Sequence, residues 1–319
     1  MKSFIDDVLL RHLTYEGEQF HLLTTLYGIA VLNNSHEYHL KIAKCIELMK
    51  ASTLIMDDFL DKSPLRNGIP SLYSKLGAEE AVLIAELLKS SAMIAFCEVL
   101  TEVPKLTCED KHKCILLFED TYRTVCLGQL EELRAIKKYL KFRSPIREKE
   151  YWQIIEKTTA SFIQLPLNVG SIVSRFDVLT ENALQKYGLN IGLAYQVRDD
   201  VIDLIGEPEI TGKPLGGDIR ERKLRLPVIR CFRNGCRTEI STLKKIYMKN
   251  QITNRDIKAV IEILNSTGSI RYCLAKVNDL CTKAVESLSS IHDNTMRKQL
   301  ENVANLLLLE KEEMLRKAT

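Results

Sequence analysis

The chain has 319 residues, 45% of them apolar and 27% charged, with a formal net charge of +3. That length and apolar share belong to a globular protein with a substantial core and exclude a disordered chain. Lysine and arginine are scattered and nearly balanced by acids, so neither nucleic acid nor an anionic membrane surface is expected as a partner.

The first residues, "MKSFIDDVLLRHL", place one Lys and then acids inside the apolar stretch, unlike a secretory or transit peptide. No run approaches 18 uncharged apolar residues, and the final "EEMLRKAT" carries no lipidation signal. A cytoplasmic protein with no stable membrane anchor is expected. The nine cysteines, at 45, 97, 108, 114, 126, 231, 236, 273 and 281, include no Cys-x-x-Cys pair and read as reduced thiols. His36 and His39 lack a second cluster at metal-ligand spacing and are expected to be solvated surface residues.

Apolar residues return at three and four along residues 38–58, 113–136, 151–175 and 256–291, which predicts helices there and no strand or hairpin. Pro- and Gly-bearing pieces punctuate them: "SPLRNGIP", "TEVPKLT", "KFRSPIREKE" and "GEPEITGKPLGGD". None is long enough to link domains. The expectation is one all-α domain over 1–319, larger than a four-helix bundle.

Two helical runs break into the same acidic pattern. In "LIMDDFLDKSPLRNGIP" the carboxylates of Asp57, Asp58 and Asp61 share one broad helical face, and in "AYQVRDDVIDLIGEPEITGKPLGGD" Asp199, Asp200 and Asp203 do the same. Like charges at that spacing repel, so the pattern calls for a cation. Hard oxygen donors without His or Cys suit Mg²⁺ or Mn²⁺, and Mg²⁺ typically takes one or two carboxylates with substrate phosphates and waters completing its octahedron. A phosphorylated ligand follows. Arg66, Lys157 and Lys213 are the basic residues placed to meet it. Tyr151 and Trp152 read as core anchors, and Gly216-Gly217 fits neither a dinucleotide fingerprint nor a P-loop.

The chain resembles the trans-prenyltransferase family, the isoprenyl diphosphate synthases. The resemblance runs in order through "LIMDDFLDKSPLRNGIP", "GQLEEL" at Gly128, "EKTTASFI" at Lys157, "GLAYQVRDDVIDLIG" and "GKPLGGDIRERKLRLPVI". It implies the all-α isoprenoid synthase fold, commonly as a homodimer. It implies Mg²⁺ as cofactor, with Asp57 and Asp61 holding two ions and Asp199 a third, and Asp58, Asp200 and Asp203 in support. Arg66, Lys157 and Lys213 match residues that grip the allylic diphosphate, and Thr158 and Gln196 match residues near the carbon that becomes cationic. Thr53 and Ser52 match positions facing the far end of the prenyl tail; small residues there imply a pocket for about fifteen carbons or more, unless Met93 or Phe96 closes the floor.

The sequence departs from the family at the isopentenyl diphosphate site. Glu18, Gln19 and His21 stand where Lys, Arg and Arg are expected, Asn67 replaces the second Arg after the first motif, and Tyr73 replaces a His. Arg222 and Arg225 also replace a Gly and a Thr after the second motif. The first reading is therefore metal-assisted ionisation of an allylic diphosphate, followed by internal quenching, as in a terpene synthase, or transfer to another acceptor. Ordinary elongation with isopentenyl diphosphate, using basic residues such as Arg222, Arg225 or Lys317, is a second reading. A non-catalytic subunit of a prenyl diphosphate synthase is a third.

Overall fold

The computed structural model describes residues 18–32, 36–66, 68–139, 147–206 and 215–317. The elements in chain order are α1 (Glu18–Ala30), α2 (Glu37–Asp61), β1 (Leu65–Arg66), β2 (Ile69–Pro70), α3 (Leu72–Leu76), α4 (Ala78–Glu102), α5 (Cys108–Tyr139) and α6 (Glu148–Ile155). A π-helical turn (Glu156–Ala160) leads into α7 (Ser161–Ser174) and α8 (Val178–Ile205). Then follow α9 (Gly217–Arg220), α10 (Leu226–Asn234), α11 (Arg237–Tyr247), α12 (Asn254–Ser266), α13 (Ser269–Ser287), a 3₁₀ turn (Leu288–Ser290) and α14 (Asn294–Lys317).

The fold is helical, as the periodicity predicts, and three details differ. A two-residue antiparallel ladder pairs Leu65 with Pro70 and Arg66 with Ile69, where no hairpin is expected from the sequence. The segment 256–291 is two helices, because Gly268 adopts φ +68 and stops the first. His39 is buried rather than solvated, its Nδ1 lying 3.1 Å from the Tyr27 hydroxyl.

The helices group into two compact units. The first comprises Met1–Arg123, Phe162–Gln185 and Ser290–Leu300, and the second Thr124–Ser161, Lys186–Ser289 and Glu301–Thr319. In the first unit α2 lies along α4, burying Ile42, Ile46, Met49 and Ile55 with Ala81, Ala85, Leu88 and Phe96. Gly170 of α7 is required by close packing there: a Cβ would stand 2.5 Å from that of Ala30. In the second unit α10 packs against α13, α12 and α6, around Leu226, Val228, Cys231, Val277 and Cys281. All nine cysteines are free thiols. No helix among the described residues is long and apolar enough to cross a membrane.

Candidate active site

The first aspartates occupy the last turns of α2. That helix stops at Lys62, whose φ of +54 lets its N–H reach the carbonyls of Asp58 and Phe59. The ladder, turning at Gly68 with φ +77, folds the chain back and brings Arg66 onto the motif. Arg66 donates to Asp58 Oδ1 from Nε at 3.0 Å and from Nη2 at 2.5 Å, and to Asp57 Oδ2 from Nη2 at 3.2 Å. Asp58 is buried, while Asp57 and Asp61 are half-buried. Burial opposes the charge on Arg66, but Asp58 and Asp57 outweigh it and hold the guanidinium protonated. Within the motif Arg66 thus offsets the repulsion that the sequence alone leaves uncompensated.

The second aspartates occupy the last turns of α8. Asp200 is 1% exposed: its Oδ2 accepts from the Tyr151 hydroxyl at 2.6 Å and its Oδ1 from Gln196 Nε2 at 2.9 Å. Gln196 Oε1 in turn accepts from the Thr159 hydroxyl at 2.5 Å. Burial pushes the Asp200 carboxyl up from the ordinary range, and nearby Arg225 pulls it back. Asp203 accepts from the N–H groups of Gly217 at 2.9 Å and Asp218 at 3.2 Å, so it ties the end of α8 to the glycine-bearing turn. Asp199 is half-buried beside them.

Lys157 and Thr158 sit on the π turn, an insertion that bulges the helix and redirects its side chains. Gly128 of α5 makes room for it: a Cβ there would stand 2.8 Å from Lys157 Cβ and 2.7 Å from Thr158 Cγ2. Lys157 Nζ donates to Glu131 Oε1 at 2.5 Å, and Thr158 donates to the Ile154 carbonyl at 3.1 Å. In α2, Ser52 is fully buried and donates to the Met49 carbonyl, and Thr53 donates to that of Lys50. Phe96, also fully buried, stacks on Phe118 at 4.4 Å between ring centroids, while Met93 is half-buried.

Each sequence-predicted set is therefore local and ordered: Asp57, Asp58 and Arg66 meet in the first unit, and Asp200 and Gln196 meet in the second. Lys213 and Asn67 lie outside the described residues, as do the side chains of Glu18, Gln19, His21 and Lys317. Tyr73 packs edge-on against Phe59, with ring centroids 6.1 Å apart. Arg222 and Arg225 are engaged in the protein. Arg222 donates to the Tyr247, Lys249 and Asn250 carbonyls at the end of α11, and Arg225 pairs with Glu132 at 2.6 Å and Asp218 at 3.1 Å.

The sequence reading missed Glu131, Glu132, Thr159, Asp218 and the buried Lys223, which pairs with Glu221 at 2.9 Å. For the charged residues the signal is the mixed charge in "GQLEELR" and "GDIRERKLR", which reads equally as a solvated face, and Thr159 adjoins the Thr158 already singled out. Tyr151 is a core anchor as expected, and its hydroxyl also serves Asp200.

Among the described residues no three His, Cys, Asp or Glu side chains converge as a ready metal cage. The half-buried carboxylates of Asp57 and Asp61 in the first unit, and separately that of Asp199 in the second, are hard oxygen donors of the kind that suits a divalent ion, since Mg²⁺ takes few protein carboxylates and completes its shell from waters and ligand phosphates.

A family model described as polyprenyl synthetase matches residues 4–264, a span that includes both aspartate motifs. A geranylgeranyl diphosphate synthase of Methanosarcina mazei is 27% identical over 269 residues, 84% of this chain and 78% of that protein. A short chain isoprenyl diphosphate synthase of Methanocaldococcus jannaschii is 28% identical over 314 residues, 97% of this chain and 91% of that one. Among solved structures, the polyprenyl synthase of Caulobacter crescentus CB15, complexed with calcium and isoprenyl diphosphate, superposes with a TM-score of 0.81 at 25% identity, covering 95% of this chain and 88% of that one.

Proposed function

The chain belongs to the polyprenyl synthetase family, and from that membership we propose that it joins an allylic prenyl diphosphate to isopentenyl diphosphate, lengthening the prenyl chain. It is an all-α class I isoprenoid synthase, a prenyltransferase. The observation that carries the reading is the span of the family match, which holds both aspartate motifs and the Lys157 turn within one alignable region of a chain whose similar relatives are named geranylgeranyl and short chain isoprenyl diphosphate synthases.

Asp57, Asp61 and Asp199 would hold divalent metal, Mg²⁺ or Mn²⁺, with Asp58, Asp200 and Asp203 fixing the helix ends that carry them. Bound there, the metal supplies Lewis-acid neutralisation of the charge growing on a departing diphosphate. Arg66, Lys157 and Lys213 bind diphosphate oxygens, Arg66 while keeping its hold on the buried Asp58, and Lys157 exchanging the partly exposed Glu131 for the ligand's stronger negative charge. Thr158 and the Gln196 side chain lie along the path of the developing allylic cation, where oxygen dipoles stabilise positive charge. Ser52 and Thr53 bound the tail, for about fifteen carbons or more.

This reading replaces cyclisation or internal quenching, the first expectation from the sequence, since the relatives favour elongation. A different acceptor keeps one specific support: Glu18, Gln19, His21, Asn67 and Tyr73 are not the bases of a diphosphate site, and the reserve cations Arg222 and Arg225 are occupied elsewhere. A homodimer is part of the proposal, supported by exposed leucines on α4 and α5. The deciding experiment incubates the protein and Mg²⁺ with ten-, fifteen- and twenty-carbon allylic diphosphates, with and without isopentenyl diphosphate. Longer diphosphates formed only with isopentenyl diphosphate support elongation. Diphosphate release with a hydrocarbon or alcohol in its absence overturns it.

A further inference from the structure

The second unit keeps one guanidinium inside an acidic cluster. Arg225 Nη1 lies 2.6 Å from Glu132 Oε1, and its Nε lies 3.1 Å from Asp218 Oδ2 and 3.6 Å from Asp200 Oδ1. Its side chain is 14% exposed, and the three acids come from α5, α9 and α8. Burial disfavours the charge on Arg225, and the three carboxylates together more than restore it. Beside it lies a cavity of about 30 Å³, lined in part by Glu132, Tyr151, Ile154 and Ile229. The Tyr151 hydroxyl donates to Asp200 Oδ2 and Gln196 Nε2 to its Oδ1, so both oxygens of that carboxylate are held by donors.

Asp200 adjoins Asp199 in sequence and lies one helical turn from Gln196, on the same face. Whatever fixes Asp200 therefore fixes the turn that presents both. Removing this cation would leave three largely enclosed carboxylates facing one another, a situation that costs far more than an exposed pair returns.

We propose that Arg225 is a positioning residue of the second aspartate motif, a cation built into the chain that clamps Asp200, Asp218 and Glu132 and so sets the helical turn carrying Asp199 and Gln196. Arg225 does not touch substrate in this role. Its consequence for catalysis rests on the prenyl-transfer reading of the motif; the clamp itself does not.

The test is chemical rescue of Arg225→Ala, since the truncation enlarges an existing cavity into a space for free guanidinium. Thermal unfolding without any prenyl substrate, in about 10 mM guanidinium or about 10 mM urea, separates a need for charge from a need for bulk, the two solutes being alike in shape. The variant should melt about 5 °C or more below the parent, with guanidinium restoring at least half of that loss and urea none. In the elongation assay its kcat should fall about tenfold or more with KM within about threefold, and guanidinium should recover kcat. An unchanged melting temperature, or equal effects of guanidinium and urea, overturns the clamp.

Should Arg225→Ala not fold, Arg225→Lys and Arg225→Met make the same comparison of charge against length. Lys must melt above Met, and equal melting overturns the proposal. Because unfolding is read without substrate, its failure leaves the elongation reading intact. Failure of elongation in the parent protein equally leaves the rescue result standing.

Discussion

Arg66 grips Asp58 through two nitrogens, Nε at 3.0 Å and Nη2 at 2.5 Å. Asp58 is 2% exposed, so the pair is a buried one in which each charge depends on the other. Arg66→Gln should lower stability by about 3 kcal/mol or more, because it takes the guanidinium away from a buried carboxylate. Asp58→Asn alone should cost less, and Arg66→Gln with Asp58→Asn should be more stable than Arg66→Gln by about 1–3 kcal/mol, the coupling of neighbours in one network. Urea unfolding of the four proteins measures this; strict additivity would show that the contact carries no energy.

Gly128 offers a sharper test of the π turn than any change to the turn itself. An added Cβ would meet Lys157 Cβ and the Thr158 side chain and backbone N, none of them the loose end of a flexible chain. Gly128→Ala should displace Lys157 and lower kcat/KM about tenfold or more, with helicity by circular dichroism unchanged. Activity at the parent level would mean that the turn does not position Lys157 for the reaction.

Glu47 predicts a pH dependence of stability that has nothing to do with metal. Burial raises its carboxyl from 4.5 to about 8, against hydrogen bonds from the Thr24 hydroxyl and N–H and the charge of Lys50. A raised acid binds its proton more tightly folded than unfolded. The stability this contributes is full below pH 4.5 and is lost as pH rises to about 8, at up to about 1.4 kcal/mol per pH unit. Glu47→Gln, which can still accept from Thr24, should gain on the parent by about 2–4 kcal/mol between pH 5 and pH 9 in urea unfolding. A constant difference across that range would place the titration elsewhere.

The helices, and the ends of α2 and α8 where the acids cluster, were legible because an apolar period of three and four breaks into charge at those points. The ladder at Leu65–Pro70 was not, since two-residue strands show no alternation. Gly268 gives no signal of a break, because the apolar rhythm continues on both sides of it. Burial of His39 is decided by Tyr27, twelve residues away, and the clamp on Arg225 by Glu132, separated from it by 93 residues. Contacts of that range leave no local trace. The π turn had one hint, the glycine of "GQLEEL", whose meaning appears only when two helices are set side by side.

Ser52 separates a pocket-lining role from plain packing. Its side chain is fully buried on α2, the helix that lies along α4. If it bounds the prenyl tail, Ser52→Phe should shift the longest product shorter by about one five-carbon unit or more while the melting temperature holds within about 2 °C. If it is ordinary core, the added ring overpacks and costs about 1–3 kcal/mol with product length unmoved. Product analysis by mass spectrometry alongside thermal unfolding decides between them.

The exposed apolar residues of α4, and those of α5, recur at helical spacing along each helix. Leu83, Leu87 and Ile94, spaced by four and seven, share one face of α4, and Leu116, Leu127 and Leu130, spaced by eleven and three, share one face of α5. Each is between 42% and 64% exposed in the single chain. Scattered apolar residues are ordinary on a surface, but rows of them at helical spacing are the composition of an interface core. A second copy of the chain is the proposed cover. Leu87→Asp with Ile94→Asp should convert a dimer of about 73 kDa to a monomer of 36.4 kDa in light scattering, because each change would bury an unpaired charge across the contact. Helicity should be retained, since both positions face outward in the isolated chain. A parent protein that already runs as a monomer at micromolar concentration would remove the homodimer from the proposal. A dimer undisturbed by the two acids would move it to another surface.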